Sequence, residues 1–218
     1  MTNPKSNDIS EVLAAVDDLV PRLDAHTLGL YVEELVRWNP RLGLVSKKDT
    51  SQVIVRLVRE SVSLWDFVTE AVAPSSGAIH RVLDIGSGAG FPGLVWSMLD
   101  PSLSVELLER KDRKVAFLER VVARTANARV EATAEDLRDF ARRTDRKASF
   151  DLAVMIAVAD PADLAASVEP LLRAAGFFCV VRGRERTAPG ERLGVTELFC
   201  KSARETPDGR FLLYELRR

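Results

Sequence analysis

Residues 81–93 read Arg81-Val82-Leu83-Asp84-Ile85-Gly86-Ser87-Gly88-Ala89-Gly90-Phe91-Pro92-Gly93. A short β-prone run, Arg81 to Ile85, stops abruptly at glycines and leads into a helix. Glycines at such a turn tolerate positive φ and let the backbone approach a ligand closely. Two cofactor patterns fit. From Gly88, the run Gly-Ala-Gly-Phe-Pro-Gly matches a dinucleotide loop, with the acidic Glu109 about 20 residues on, where a ribose-binding acid belongs. From Asp84, the run is Asp-x-Gly-x-Gly-x-Gly, the pattern of S-adenosylmethionine enzymes. Asp84 favours the second pattern. A carboxylate beside a pyrophosphate sets negative charge against negative charge, whereas S-adenosyl-L-methionine carries an ammonium and a sulfonium.

The flanking sequence predicts how this turn is held. Ser104 to Leu108 is a second strand, Ala128 to Ala132 a third and Phe150 to Ile156 a fourth. The fourth is apolar enough to be buried on both faces, as parallel strands are. Between the second and third, Val115, Leu118 and Val122 keep helical spacing over Lys111 to Arg124. Asp160-Pro161 starts another helix, with Asp as cap and Pro in the first turn. Gly176 is expected to end it before a fifth strand, Phe177 to Val181. Thr196 to Lys201 and Arg210 to Leu216 form a hairpin across Pro207-Asp208-Gly209, a turn signal. Alternating strands and helices closed by a hairpin predict an α/β protein. Its sheet is Rossmann-like, seven-stranded and mostly parallel, with an antiparallel edge. That hairpin is characteristic of methyltransferases rather than dehydrogenases.

The N-terminal part is different. Leu28, Tyr31, Val32, Leu35 and Trp38 recur at helical spacing, as do Ile54, Leu57, Val58, Ser61, Leu64, Trp65 and Val68. Val12 to Leu19 predicts a further short helix, and Asn39-Pro40 predicts a break. Pro74 to Gly77 reads as a linker. The expected division is a helical extension, 1–76, and a methyltransferase domain, 77–218.

Composition excludes several classes. Among 218 residues, 31 basic and 32 acidic side chains rule out a histone-like or strongly acidic chain. No apolar run approaches the roughly 18–20 residues a membrane helix needs. The N-terminus lacks a basic-then-apolar signal pattern, so a cytoplasmic protein is expected. Cys179 and Cys200 cannot build a disulfide scaffold, and His26 and His80 are too few for a typical histidine metal centre. No metal site is therefore expected, and Cys179, His26 and His80 read as structural. The even charge balance hides a pattern: residues 110–147 carry net +5 and residues 173–218 net +4. Two such segments suit one basic face for phosphates, or ordinary solvated surface.

These features place the candidate site. Asp84, Gly86, Ser87, Gly88, Gly90 and Phe91 form the loop. Glu109 ends the second strand, where it can accept hydrogen bonds from both ribose hydroxyls; pairing with Arg110 or Arg113 is the alternative. Ala134, Glu135 and Asp136 follow the third strand, on the adenine side, though the two acids also suit a helix N-terminus. Arg182 and Arg184 are candidates to hold phosphate or a base edge, or are solvated surface. No residue is assigned as catalytic.

The motifs together resemble the glucose-inhibited division protein B family, the bacterial 16S ribosomal RNA guanine-N7 methyltransferases. The resemblance rests on Leu35-Val36-Arg37-Trp38-Asn39 with Leu44-Val45-Ser46, on Leu83 to Gly93, and on Glu109, Arg113, Lys114, Phe117 and Leu118. Ala134-Glu135 adds the adenine-side pair. It implies a class I S-adenosylmethionine-dependent methyltransferase domain with a helical N-terminal extension and methyl transfer to guanine N7 of 16S ribosomal RNA in the small ribosomal subunit, and it places Ile156 beside the methyl donor. The chain departs from the family at Gly43, Leu57, Thr133, Ile156 and Arg182, all on the substrate side. N7 carries a lone pair and no proton, so its methylation needs placement rather than a general base. No Asn/Asp-Pro-Pro-Tyr motif follows the fourth strand and no Pro-Cys nucleophile is present, which disfavours exocyclic-amine and pyrimidine-C5 methylation. Three expectations stand: an RNA methyltransferase, a methyltransferase acting on a small molecule, and a non-catalytic S-adenosylmethionine-binding homologue.

Overall fold

The computed structural model describes residues 4–74, 78–156, 160–182, 187–207 and 209–217. Three helices come first: α1 (Pro4–Ala15), α2 (Ala25–Leu42) and α3 (Thr50–Val72). The alternating part follows as β1 (Arg81–Ile85), α4 (Gly93–Leu99), β2 (Ser104–Glu109), α5 (Asp112–Thr125), β3 (Val130–Ala134), α6 (Leu137–Phe140), β4 (Phe150–Ile156), α7 (Pro161–Val168) and β5 (Leu172–Arg182). The chain closes with β6 (Leu198–Thr206) and β7 (Gly209–Leu216). The seven strands form one sheet in the order β3-β2-β1-β4-β5-β7-β6. The first five are parallel, and β7 is antiparallel to both its neighbours. This is the predicted seven-stranded sheet with its edge hairpin.

The sheet is buried on both faces because its apolar strands carry a core on each side. Along β4, Leu152 and Val154 join the larger core and Ala153 and Met155 the smaller one. The larger core also takes in Leu28, Tyr31, Leu35, Ile54, Val58 and Val68, so α2 and α3 pack directly against the strand-and-helix part. Trp96 of α4 donates through Nε1 to the Ser61 carbonyl of α3 at 2.8 Å, and its ring lies 5.2 Å from that of Trp65. The expected boundary at 76 and 77 lies outside the described residues.

A buried charge fastens α2 to α5. Glu34, with no exposed side-chain surface, accepts from Arg120 Nε and Arg124 Nη1, both at 2.6 Å. It also accepts from Trp38 Nε1 at 2.8 Å. Burial alone would raise its pKa, but hydrogen bonds from Arg120, Arg124 and Trp38 outweigh that and hold it at about 2.

Several boundaries differ from expectation for identifiable reasons. The helix expected at Val12–Leu19 is α1, ending at Ala15, followed by a 3-10 turn over Asp17–Leu19. α2 passes through Asn39-Pro40 and stops at Gly43, whose φ of 59° and ψ of 51° form a left-handed cap. Asn39 Oδ1 accepts from Val45 N at 2.9 Å, which ties down the chain beyond the helix end and outweighs the pre-proline bias. Gly176 lies inside β5 rather than at a helix end: α7 stops at Val168 and a 3-10 turn follows. β3 sits two residues later than expected, and β6 starts two residues later and ends five later, because their ends are set by pairing with β2 and β7. Cys179 is fully buried in β5, and burial pushes its thiol up, so it is a core residue. His26 and His80 are exposed at element starts rather than packed in the core.

Candidate functional site

The glycine loop leaves β1 at the sheet edge where all five parallel strands end. Gly86 N and Ser87 N both donate to the Leu108 carbonyl of β2, at 2.7 and 3.1 Å, so the loop lies across the end of β2. Ser87 Oγ donates to the Asp84 carbonyl at 2.8 Å. A side chain at Gly90 would collide with Leu94 in the first turn of α4, and its φ is 100°. At Gly93, a Cβ would stand 2.7 Å from Asp84 Oδ2 and 2.6 Å from Leu107 Cδ2. The last glycine is therefore a packing requirement between α4 and the two central strands.

Helix α2 holds the loop from outside. The buried Tyr31 hydroxyl donates to the Ala89 carbonyl at 2.8 Å, and its ring lies 5.5 Å from that of Phe91. The Phe91–Pro92 peptide is cis. Nothing in the sequence marks this role of Tyr31, which reads as one residue of an apolar stripe. Its partner is 58 residues away.

Between loop and strand ends opens a cleft of about 410 Å³. Its walls include Gly86, Glu109, Lys114, Glu135, Asp136 and Leu164. Glu109 is almost fully buried and accepts from Lys111 N at 2.9 Å through Oε1. Among the described residues its second oxygen has no partner, so it remains able to accept from a ligand hydroxyl. Glu135 pairs with Arg143 at 3.2 Å. Asp136 caps α6 by accepting from Arg138 N at 2.9 Å, so the helix-terminus alternative holds for Asp136, which also faces the cleft. Ala134 is the register partner of Glu109 at the end of β3. Arg110, Lys111 and Arg138 also line the cleft, a role their sequence positions do not single out.

Of the expected cofactor residues, Gly86, Glu109, Glu135 and Asp136 line the cleft and the others do not. Asp84 does not line the cleft. It is buried beneath the loop, accepts from Gly93 N at 3.0 Å, and burial pushes its carboxyl up to about 8. It supports the loop from below, by its hydrogen bond from Gly93. Ile156 packs against the larger core instead of lining the cleft. Ser87, Gly88, Gly90 and Phe91 shape the loop without lining the cleft. Arg182 ends β5 opposite Arg210. Its side chain, and all of Arg184, lie outside the described residues.

The basic face is only partly free. Arg120, Arg124, Arg142, Arg143 and Arg146 are in ion pairs, as are Arg173, Arg192, Lys201, Arg204 and Arg210. Among the described residues, Arg110, Lys111, Arg113 and Lys114 make no ion pair and cluster at the start of α5 by the cleft. No group of three or more His, Cys, Asp or Glu able to hold a metal is found among the described residues. No helix among them is long and apolar enough to cross a membrane.

The strand order, the antiparallel edge hairpin and the loop at the end of β1 define the class I methyltransferase fold. Solved structures agree. A mutant of MtNAS in complex with S-adenosylmethionine aligns with a TM-score of 0.58 at 13% identity, over 87% of this chain and 72% of that one. The proposed methyltransferase yhhF of Escherichia coli aligns at 0.55 and 13%, over 71% and 84%. Sequence comparison then gives the family. The model for GidB, rRNA small subunit methyltransferase G, matches residues 24–201, and the chain belongs to that family. Ribosomal RNA small subunit methyltransferase G of Moorella thermoacetica is 33% identical over 153 residues, 70% of this chain and 61% of the relative. That of Desulfitobacterium hafniense is 30% identical over 156 residues, 72% and 62%. The match thus spans about three-fifths of the length of these curated relatives.

Proposed function

We propose that this protein binds S-adenosyl-L-methionine in the 410 Å³ cleft and methylates guanine N7 of 16S ribosomal RNA in the small ribosomal subunit. The observation that carries the reading is Glu109, a buried acid with one uncommitted oxygen at the end of β2, facing a glycine loop. A ribose offers two adjacent hydroxyl donors to such an oxygen. Gly86, Glu135 and Leu137 line the cleft, and in this reading Gly86 would meet the cofactor's middle and Glu135 and Leu137 its adenine. The residues present therefore fit the cofactor, and the cleft volume lies within the roughly 300–1,000 Å³ typical of ligand pockets. When bound, S-adenosyl-L-methionine supplies an electrophilic methyl: the N7 lone pair forms the new N–C bond while the C–S electron pair stays on sulfur. No proton leaves the acceptor, so this chain's task is to orient and to exclude water. Arg110, Lys111, Arg113 and Lys114, clustered by the cleft, suit RNA phosphates.

The test is methyl incorporation from labelled S-adenosyl-L-methionine into unmethylated small subunits, with binding measured by calorimetry. Binding of the cofactor and incorporation at a guanine, weakening steeply with salt through counterion release, is the expected result. NAD binding without S-adenosyl-L-methionine binding would sink the reading. A second reading, a small-molecule acceptor, is favoured by one observation: Ile156 ends β4 as an apolar side chain packed into the core. Activity on a metabolite extract with a flat salt response would select it.

A further inference from the structure

S-adenosyl-L-methionine brings three charges to its site: a sulfonium, an ammonium and one carboxylate. The carboxylate is its only anion, and out of water it needs a cation or several donors. A second cavity, about 610 Å³ between α1, α3 and the β6–β7 hairpin, shares no lining residue with the cleft, so the partners of that carboxylate are sought in the cleft alone.

Four cations line the cleft: Arg110, Lys111, Lys114 and Arg138. Arg110, Lys111 and Arg138 are exposed, whereas Lys114 is half-buried. Solvent and salt weaken an exposed charge far more than a half-buried one. Among the described residues the Lys114 ammonium makes no ion pair and donates no hydrogen bond. Its position separates it further. Lys114 lies in the first turn of α5, just beyond β2. A Cβ on Gly88 would stand 3.7 Å from Lys114 Nζ and 3.6 Å from the Gly86 carbonyl oxygen, so the ammonium sits beside the glycine loop.

The sheet sets an order along the cleft. β3, β2 and β1 are neighbours in that sequence. Glu135, Asp136 and Arg138 follow β3, Glu109 ends β2, and the loop follows β1. With the ribose on Glu109 and the adenine toward β3, the amino-acid end of the cofactor runs toward the loop, where Lys114 is the uncommitted cation. An ammonium there opposes the sulfonium and ammonium of the ligand unless a carboxylate comes with them. Lys114 therefore favours only a ligand that carries the carboxylate.

We propose that Lys114 binds the carboxylate of S-adenosyl-L-methionine, so that the cleft selects the amino-acid end of the cofactor as well as its nucleoside. The proposal rests on the methyltransferase reading, and it sets Lys114 apart from Arg110, Lys111 and Arg113, which stay available to RNA phosphates. Calorimetry with three ligands tests it: S-adenosyl-L-methionine, its decarboxylated form, and 5′-methylthioadenosine, which lacks the amino-acid end. Each is titrated into wild type, into Lys114→Met, which keeps the apolar stem, and into Lys114→Arg, which keeps the charge. Wild type should bind S-adenosyl-L-methionine at least about tenfold more tightly than the decarboxylated form, and Lys114→Met should lose about tenfold for S-adenosyl-L-methionine. The same variant should bind 5′-methylthioadenosine as wild type does, and the decarboxylated form as well or better, because a repelling charge is gone. Lys114→Arg should keep the preference for the carboxylate. Equal weakening of all three ligands in Lys114→Met would make Lys114 a support of the loop, and unchanged affinity for S-adenosyl-L-methionine would make it surface charge; either result overturns the proposal. Failure of wild type to bind any of the three would overturn the cofactor reading itself.

Discussion

The two cavities are built in different ways. The cleft beside the glycine loop is framed by Ile85 and Gly86 and by residues at and just beyond the ends of β2 and β3, among them Glu109, Lys114, Glu135 and Asp136. The loop behind it is backbone, positioned by hydrogen bonds to Leu108 and by Tyr31 on Ala89. The second cavity is assembled from side chains of α1, α3 and the terminal hairpin, segments up to about 200 residues apart in sequence. A site made of backbone tolerates change in its surroundings provided a few glycines remain. A site made of distant side chains changes with each of them. The departures from the family at Gly43, Leu57, Thr133, Ile156 and Arg182 fall at the end of α2 and on α3, β3, β4 and β5, none of them on the loop.

The largest way to break the contrast is Gly93→Val. Its side chain would enter space held by Asp84 and Leu107. Overpacking of this kind costs about 3 kcal/mol. Thermal unfolding should show that loss, and S-adenosyl-L-methionine binding should vanish even at temperatures where the variant is folded. Retained binding would mean that the loop does not depend on this packing.

Glu34→Ala tests whether the helical part is integral to the loop. It leaves Arg120 and Arg124 without their shared partner. Breaking a buried pair costs roughly 3–5 kcal/mol, and the partial exposure of both arginines puts the expected loss at about 3. Denaturant titration measures it; a loss below about 1 kcal/mol would show that the pair is screened like a surface bridge.

Glu109→Ala probes the cofactor cleft alone. A hydrogen bond to a charged group contributes about 1.5–3 kcal/mol, so affinity for S-adenosyl-L-methionine should fall about ten- to a hundredfold. Calorimetry on the folded variant decides, and unchanged affinity would return Glu109 to the surface role.

The finest test is of pH. The Asp84 carboxyl is raised to about 8, so the folded state binds its proton more tightly than the unfolded chain does. That contribution is fully present below the unfolded value near 3.8 and is lost as pH rises through about 8. Between these limits wild type should lose about 1.4 kcal/mol per pH unit relative to Asp84→Asn, which cannot ionise. Glu106, raised to about 7 mainly by burial, titrates in both proteins, so the difference isolates Asp84. Parallel pH profiles for the two proteins would contradict the buried, protonated carboxyl.

Much of the architecture was legible in the chain itself. β1 and β4 fall where their apolar runs predict, and Asp160 caps α7 by accepting from Ala162 N at 2.9 Å. The loop and Glu109 are recognisable because their constraints are local: a strand, a turn that needs glycine, and an acid at the end of the neighbouring strand. Tertiary structure decided the rest. It turned Asp84 from a cleft residue into a buried support, because only packing determines whether a carboxylate meets solvent. It carried α2 through Asn39-Pro40, beyond which Asn39 Oδ1 accepts from Val45 N, and set Gly176 within β5, where the pairing with β4 shifts register. It committed most of the basic segments to carboxylates elsewhere in the chain, such as Arg124 to Glu34 and Arg204 to Glu70. It aligned Ile156, Val181 and Phe211 in one row, a relation set by strand pairing, which no spacing along a single chain encodes.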